Sequence, residues 1–162
     1  MRAYLIAMRT GLNTKSDYQR YYAEKLAGLI VDMAEQQTNI LLQLFADNET
    51  ILRNIKYPDK PLSLSNGRLQ AYYHSHEENT LSENEHGHFH IFRMTSPAGK
   101  DKAVHLVGLS MDTYGQPRSW FTVNQWVTAA VCYNGQHFRN SIEQQIPVDN
   151  QENLIQEWLT TM

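Results

Sequence analysis

The hydrophobic repeat of this 162-residue chain changes period at "KYPDKPLSLSNG", residues 56–67. Before it, Tyr18, Tyr22, Leu26, Leu29, Ile30 and Met33 recur at three- and four-residue spacing within "SDYQRYYAEKLAGLIVDMAEQQ". That spacing makes the apolar stripe of an amphipathic helix. Ser16 is placed to cap it, and "TNILLQLF" extends it. Asp47 or Asn48 offers a fresh N-cap for a short second helix through "ADNETILRNI". Residues 15–56 therefore read as helical. Pro58, Pro61 and Gly67 make the segment itself a linker that ends the helical half.

Beyond Gly67 the period is two. "RLQAYYHSH", "HGHFHIFRM", "AVHLVGLSMD" and "SWFTVNQWVT" alternate or are rich in β-branched and aromatic residues. The breaks "SPAGKD" and "DTYGQP" are hairpin connections. Four successive strands with short links imply an antiparallel meander. Residues 130–146 fit neither period. After Pro147, Asp149 and Glu152 have capping-box spacing, and Leu154, Ile155 and Leu159 fall on one helical face with Trp158 beside them. The expected fold is α+β: N-terminal helices, an antiparallel sheet of about four strands and a C-terminal helix. It is expected as one domain over 1–162, with a helical part at 1–57, a histidine-bearing β module at 68–128 and the last helix at 147–162.

Composition narrows the function classes. A net charge of −3 with no Lys/Arg run leaves no electrostatic footprint for nucleic acid. No window approaches the roughly 18 apolar residues of a membrane span, and the start lacks a small-residue cleavage pattern. The expected location is the cytoplasm. Cys132 stands alone in the apolar "WVTAAVCYN", so it reads as a buried thiol outside any disulfide. The N-terminal helical stripe is a core or partner-facing surface, and a homo-oligomer would form through it.

One segment carries chemistry. "HSHEENTLSENEHGHFHIF", residues 74–92, holds five of the seven histidines and four glutamates. Alternation puts His74 and His76 on one face of their strand, and His86, His88 and His90 on one face of the next. Paired as a hairpin, the strands bring His74 to His88 and His76 to His86, with opposed Cβ atoms about 5 Å apart. His105 begins the third strand and joins from the side. Imidazoles at this spacing suit a metal, whose Zn–N bonds run near ~2.1 Å. The ligand candidates are His74, His76, His86, His88, His90 and His105, with Glu85 as the supporting carboxylate and Glu77, Glu78 and Glu83 nearby. Zinc is expected, or iron where two histidines and a carboxylate lead. The competing reading is plainer: polar side chains on the outer face of a half-buried sheet, above a solvated loop. The pattern departs from the cupin H-x-H-x₃₋₄-E, because Thr80 and Leu81 stand where that Glu would be.

Two resemblances bear on this segment. "HGHFHIF" resembles the histidine-triad signature of nucleotide hydrolases and transferases. That likeness implies His88 as a nucleophile toward an α-phosphate, flanked by orienting histidines. Gly87 stands where that signature has an apolar residue, and "ENTLSENE" replaces its upstream context. A longer stretch, "YYHSHEE…EHGHFHIF…HLVGLSMDTYGQPRSWFTVNQWVT", resembles an uncharacterised bacterial domain-of-unknown-function family over about residues 68–128. The resemblance implies that the histidine segment, His105, Asp112 and the "WFTVNQWVT" strand form one module, with the N-terminal helices outside it. It brings no activity and no small-molecule ligand.

Other residues are weaker candidates. Asp112 is a ligand or general base, or simply the residue that opens the "DTYG" turn. Arg118 and Asn124 are anion contacts or surface residues. Trp120 and Trp126 share a face suited to core packing, and His137 lies apart. The functional expectation is a divalent-metal site on a sheet face, serving a hydrolase or oxidoreductase. The rivals are a binding or oligomerisation module with a pH-responsive histidine surface, and the His88-centred phosphate chemistry.

Overall fold

The computed structural model describes residues 14–46, 52–65, 67–76, 84–94, 103–123 and 153–162. Helix α1 spans Lys15–Glu35 and α2 spans Ile40–Leu44. The sheet comprises β1 (Tyr57–Leu64), β2 (Leu69–His74), β3 (Gly87–Met94), β4 (Ala103–Met111) and β5 (Pro117–Phe121), and α3 follows at Leu154–Thr161. The strands lie in chain order and every neighbouring pair is antiparallel. The fold is α+β, as expected, with five strands where about four were expected.

The additional strand is β1, which occupies the segment read as a linker. Its prolines disguised it. A proline cannot donate to a ladder and is therefore confined to edges and bulges. β1 is an edge strand, and its register with β2 is irregular between Tyr57 and Leu62, the stretch that holds Pro58 and Pro61.

The helical half also differs in detail. Thr14, rather than Ser16, caps α1: its hydroxyl accepts from the Asp17 amide at 3.1 Å, and the Asp17 carboxylate accepts from the Thr14 amide at 2.9 Å. Such a reciprocal cap contributes about 1 kcal/mol. "TNILLQLF" does not extend α1. The helix stops at Gln36, Gln37 takes a left-handed φ of 53°, and Asn39 caps α2 by accepting from the Leu41 and Leu42 amides. The proposed caps Asp47 and Asn48 lie outside the described residues, and residues 52–56 carry no helix. Asp149 and Glu152 also lie outside them; Asn153 caps α3 through the Gln156 amide.

All three helices cover one face of the sheet. Leu29 and Met33 of α1, Ile40, Leu41 and Leu44 of α2, Phe45, and Ile155, Trp158 and Leu159 of α3 pack with Ala71, Tyr73, Phe89, Ile91, Leu109 and Met111. Each fully buried large side chain of this kind contributes about 1.5–3 kcal/mol. α3 is tied down by polar contacts too: Gln156 donates to the Ser63 carbonyl at 2.8 Å, and Lys25 of α1 pairs with Glu157 at 3.1 Å. Ile30, placed on the α1 stripe, is 46 % exposed at its margin. Trp120, expected in the core, is also exposed. Among the described residues no helix is long and apolar enough to cross a membrane. The alternate residues Tyr72, His74, His88, His90, Phe92, Gly108 and Ser110 occupy the opposite face of the sheet.

Candidate metal centre

The β2–β3 register sets His74 directly opposite His88 and Tyr72 opposite His90. The pairing of His74 with His88 is the one expected. His90 is two residues along β3 from His88, on the same face, and its Nε2 lies 3.0 Å from His74 Nε2. His74, His88 and His90 each offer a ring nitrogen within 4.8 Å of the other two. Ligands on a tetrahedral ion with ~2.0 Å bonds stand about 3.3 Å apart, so the cluster needs only small adjustments to close on an ion.

Groups behind these rings orient them. Glu85 Oε1 accepts from His88 Nδ1 at 2.7 Å, which leaves His88 Nε2 for a ligand. His105 Nε2 lies 2.9 Å from His90 Nδ1. A metal-bound imidazole whose far nitrogen bonds a carboxylate or another acceptor has its tautomer and ring angle fixed. His105 reaches His90 because β4 is bulged. The ladder runs Ile91↔Val107 and then Phe92↔His105, so Leu106 is the extra residue. In a regular ladder Leu106 would face Phe92, and His105 would turn to the core.

Two candidates stand apart from the centre. His76 lies beyond the end of β2, with its ring 4.4 Å from that of His74 and 5.0 Å from that of His88, and Asn54 Oδ1 is 3.1 Å from its Nδ1. It sits at the rim. His86, expected opposite His76, is not on this face. Its ring stacks near Tyr73 and Phe45, its Nδ1 and the Tyr73 hydroxyl share a 2.7 Å hydrogen bond, and its amide donates to the Met111 carbonyl. His86 lies just outside β3, which begins at Gly87. A Cβ there would lie 2.5 Å from the His74 carbonyl oxygen and 2.7 Å from the Tyr73 hydroxyl. The chains therefore cross closely at Gly87, where a side chain has no room.

Aromatic rings frame the centre. Tyr72 stacks on Phe92 at 5.5 Å and lies 5.4 Å from His90. Phe121 of β5 lies 5.1 Å from His88 and 6.1 Å from His90, seated over Gly108, where any Cβ would meet its ring at 2.3 Å. Sequence reasoning gave no role to Tyr72, Phe92 or Phe121. Their signal was parity with the histidines on a sheet face, combined with a glycine opposite an aromatic residue.

The site favours neutral imidazole. Burial above all holds His90 down to about 2, with His88, His74, His105 and His76 adding repulsion, and His90 is 3 % exposed. Burial, then His88, His76 and Lys56, lowers His74 to about 4, and burial followed by His88 lowers His105 to about 4. His88 is lowered by burial, against the opposing pull of Glu85. A neutral ring presents a free lone pair to a cation, whereas a protonated one repels it.

Of the other candidates, Asp112 is a turn residue: its carboxylate accepts from the Tyr114 and Gln116 amides, both at 2.8 Å. Arg118 is exposed. Glu77, Glu78, Glu83, Asn124, Trp126, Cys132 and His137 lie outside the described residues.

A family model described as a domain of unknown function (DUF6969) matches residues 20–162. The match takes in most of α1 and all of α2 and α3, so the helices belong to the module that had been expected to begin near residue 68. No curated protein and no solved structure matches the chain.

Proposed function

We propose that this chain, which belongs to the family of domains of unknown function DUF6969, is a metalloprotein with one divalent-cation centre on the outer sheet face. His74, His88 and His90 are the ligands, and Glu85 and His105 fix the rings of His88 and His90. The observation that carries the reading is the convergence of three ring nitrogens within 4.8 Å, with the far nitrogens of two of those rings already engaged. Structural zinc sites are usually closed by four protein ligands, whereas three histidines leave a position for water or substrate. When bound, such an ion supplies Lewis acidity toward a water or a substrate oxygen. Hydrolysis follows with zinc, oxidation with iron, and three histidines favour zinc over the two-histidine, one-carboxylate pattern of iron.

The rival readings lose specific support. The histidine-triad likeness needs His86 beside His88, and His86 stands with Tyr73 on the other side of the sheet. A pH-responsive histidine surface needs titration between about 5.5 and 7, and His74, His90 and His105, held well below that range, would contribute nothing to it.

The test is elemental analysis of untagged protein purified without chelator, with a thermal melt before and after EDTA. Near-stoichiometric zinc or iron, lost with EDTA alongside a fall in melting temperature, supports the centre. Metal content unchanged in His74→Ala and His88→Ala would remove it.

A further inference from the structure

The outer face carries a cation that the metal reading does not use. Lys56 immediately precedes β1, and the Tyr57↔Tyr73 pairing places it opposite His74 on the same face. Its ammonium rests 4.4 Å from the centroid of the Tyr72 ring, where the ring quadrupole holds a cation. That ring lies 5.8 Å from His74 and 5.4 Å from His90. Among the described residues Lys56 makes no ion pair. Its charge also acts on His74, where it adds to burial in disfavouring the protonated ring.

Among the described residues, the charged groups beside the rings are Lys56 and Glu85. Glu85, the carboxylate at the centre, is engaged by His88. Three neutral imidazoles do not offset the charge of a divalent ion, so the ion and Lys56 together make an electropositive site. The stacked Tyr72–Phe92 pair walls it on the β1 side, and Phe121 walls it on the β5 side. Apolar walls with a few placed polar groups are the make-up of a small-molecule site.

We propose that the site takes a small organic anion with an apolar or aromatic body, with Lys56 binding the anionic group and Tyr72, Phe92 and Phe121 enclosing the body. This rests on the metal reading above. A carboxylate and a phosphate monoester share the required chemistry.

The experiment uses the full chain loaded with cobalt(II), whose visible spectrum reports on the coordination sphere. It is titrated with benzoate, phenyl phosphate and neutral benzamide, in the unsubstituted protein and in Lys56→Met and Lys56→Arg. One or both anions should perturb the spectrum saturably and more tightly than benzamide, and the tighter of the two identifies the anionic group. Lys56→Met should weaken anion binding roughly tenfold, the scale of one charge-assisted contact. Lys56→Arg should restore most of it, and neither variant should weaken cobalt binding. Anion binding equal in Lys56→Met, benzamide binding as tight as benzoate, or no response to either anion would overturn the proposal while the cobalt spectrum stands. Absence of a cobalt spectrum in the unsubstituted protein would overturn the metal reading, and this one with it.

Discussion

His90 Nδ1 and His105 Nε2 lie 2.9 Å apart, so one ring must donate to the other. If His90 binds an ion through Nε2, its Nδ1 carries the proton and donates, and His105 accepts as the Nδ1–H tautomer. The direction of this hydrogen bond and the occupancy of the centre are therefore linked.

Replacing His105 with Ala should weaken metal binding about 10- to 100-fold without abolishing it, the range for a residue that orients a ligand. His105→Gln retains an acceptor and should recover part of the loss. Competition with a zinc chelator measures both. An affinity unchanged in His105→Ala would mean that His90 needs no such support.

The ligands themselves should behave differently. His74→Ala and His88→Ala should each remove stoichiometric metal while leaving far-UV circular dichroism intact, because both side chains stand away from the helices. Glu85→Gln should weaken binding by about tenfold or more, since an amide accepts from His88 Nδ1 with no charge. Metal retained in full by both alanine variants would exclude the centre.

In EDTA, stability should depend on pH with a definite sign. His74 and His105 are held near 4 in the fold and return to about 6.5 on unfolding. Between those values the unfolded chain binds more protons, so the fold loses stability as pH falls from about 6.5 toward 4 and is insensitive to these groups above about 7. Urea unfolding across pH 4–8 tests this. A stability curve that is flat or rises toward acid would contradict it.

Two glycines hold the geometry. Gly87→Ala sets a Cβ against the His74 carbonyl, which is backbone and cannot step aside, whereas Gly108→Ala meets the Phe121 ring, which can. Gly108→Ala should cost about 1–3 kcal/mol and loosen β5. Gly87→Ala should cost at least as much and also lower metal affinity by shifting His74 against His88. Denaturant melts with metal titration separate the two effects.

Much of this arrangement was legible in the sequence. Period-two alternation gave β2 to β4 and the pairing of His74 with His88, because one buried face fixes register. β5 begins earlier than expected, at Pro117 in the segment read as a turn, and overlaps the expected strand at 119–121. The helical stripe gave α1, and Leu154, Ile155 and Leu159, with Trp158 beside them, gave the face of α3 that packs on the core, Leu154 being only partly buried. What escaped had local causes. β1 was hidden by Pro58 and Pro61, which an edge strand tolerates and an interior strand does not. The break between α1 and α2 was hidden because Asn39 caps a run that also continues the stripe. His86 was misplaced because alternation says nothing about a residue just outside a strand, and His105 reached its position through a bulge that spacing does not reveal. Lys56 drew no notice, since its position opposite His74 exists only once β1 is a strand.

The centre and the core occupy opposite faces of one sheet, and this separates what evolution can change. Selection for a folded chain acts on Tyr73, Phe89, Leu109 and Trp158; selection for the imidazoles acts on their alternate neighbours. A lineage could thus shed His74 or His88, which are less buried than His90, and keep a folded, expressed protein. Folded relatives lacking His74 or His88 would keep the scaffold without the proposed centre, and abundance alone would not distinguish them from those that retain it.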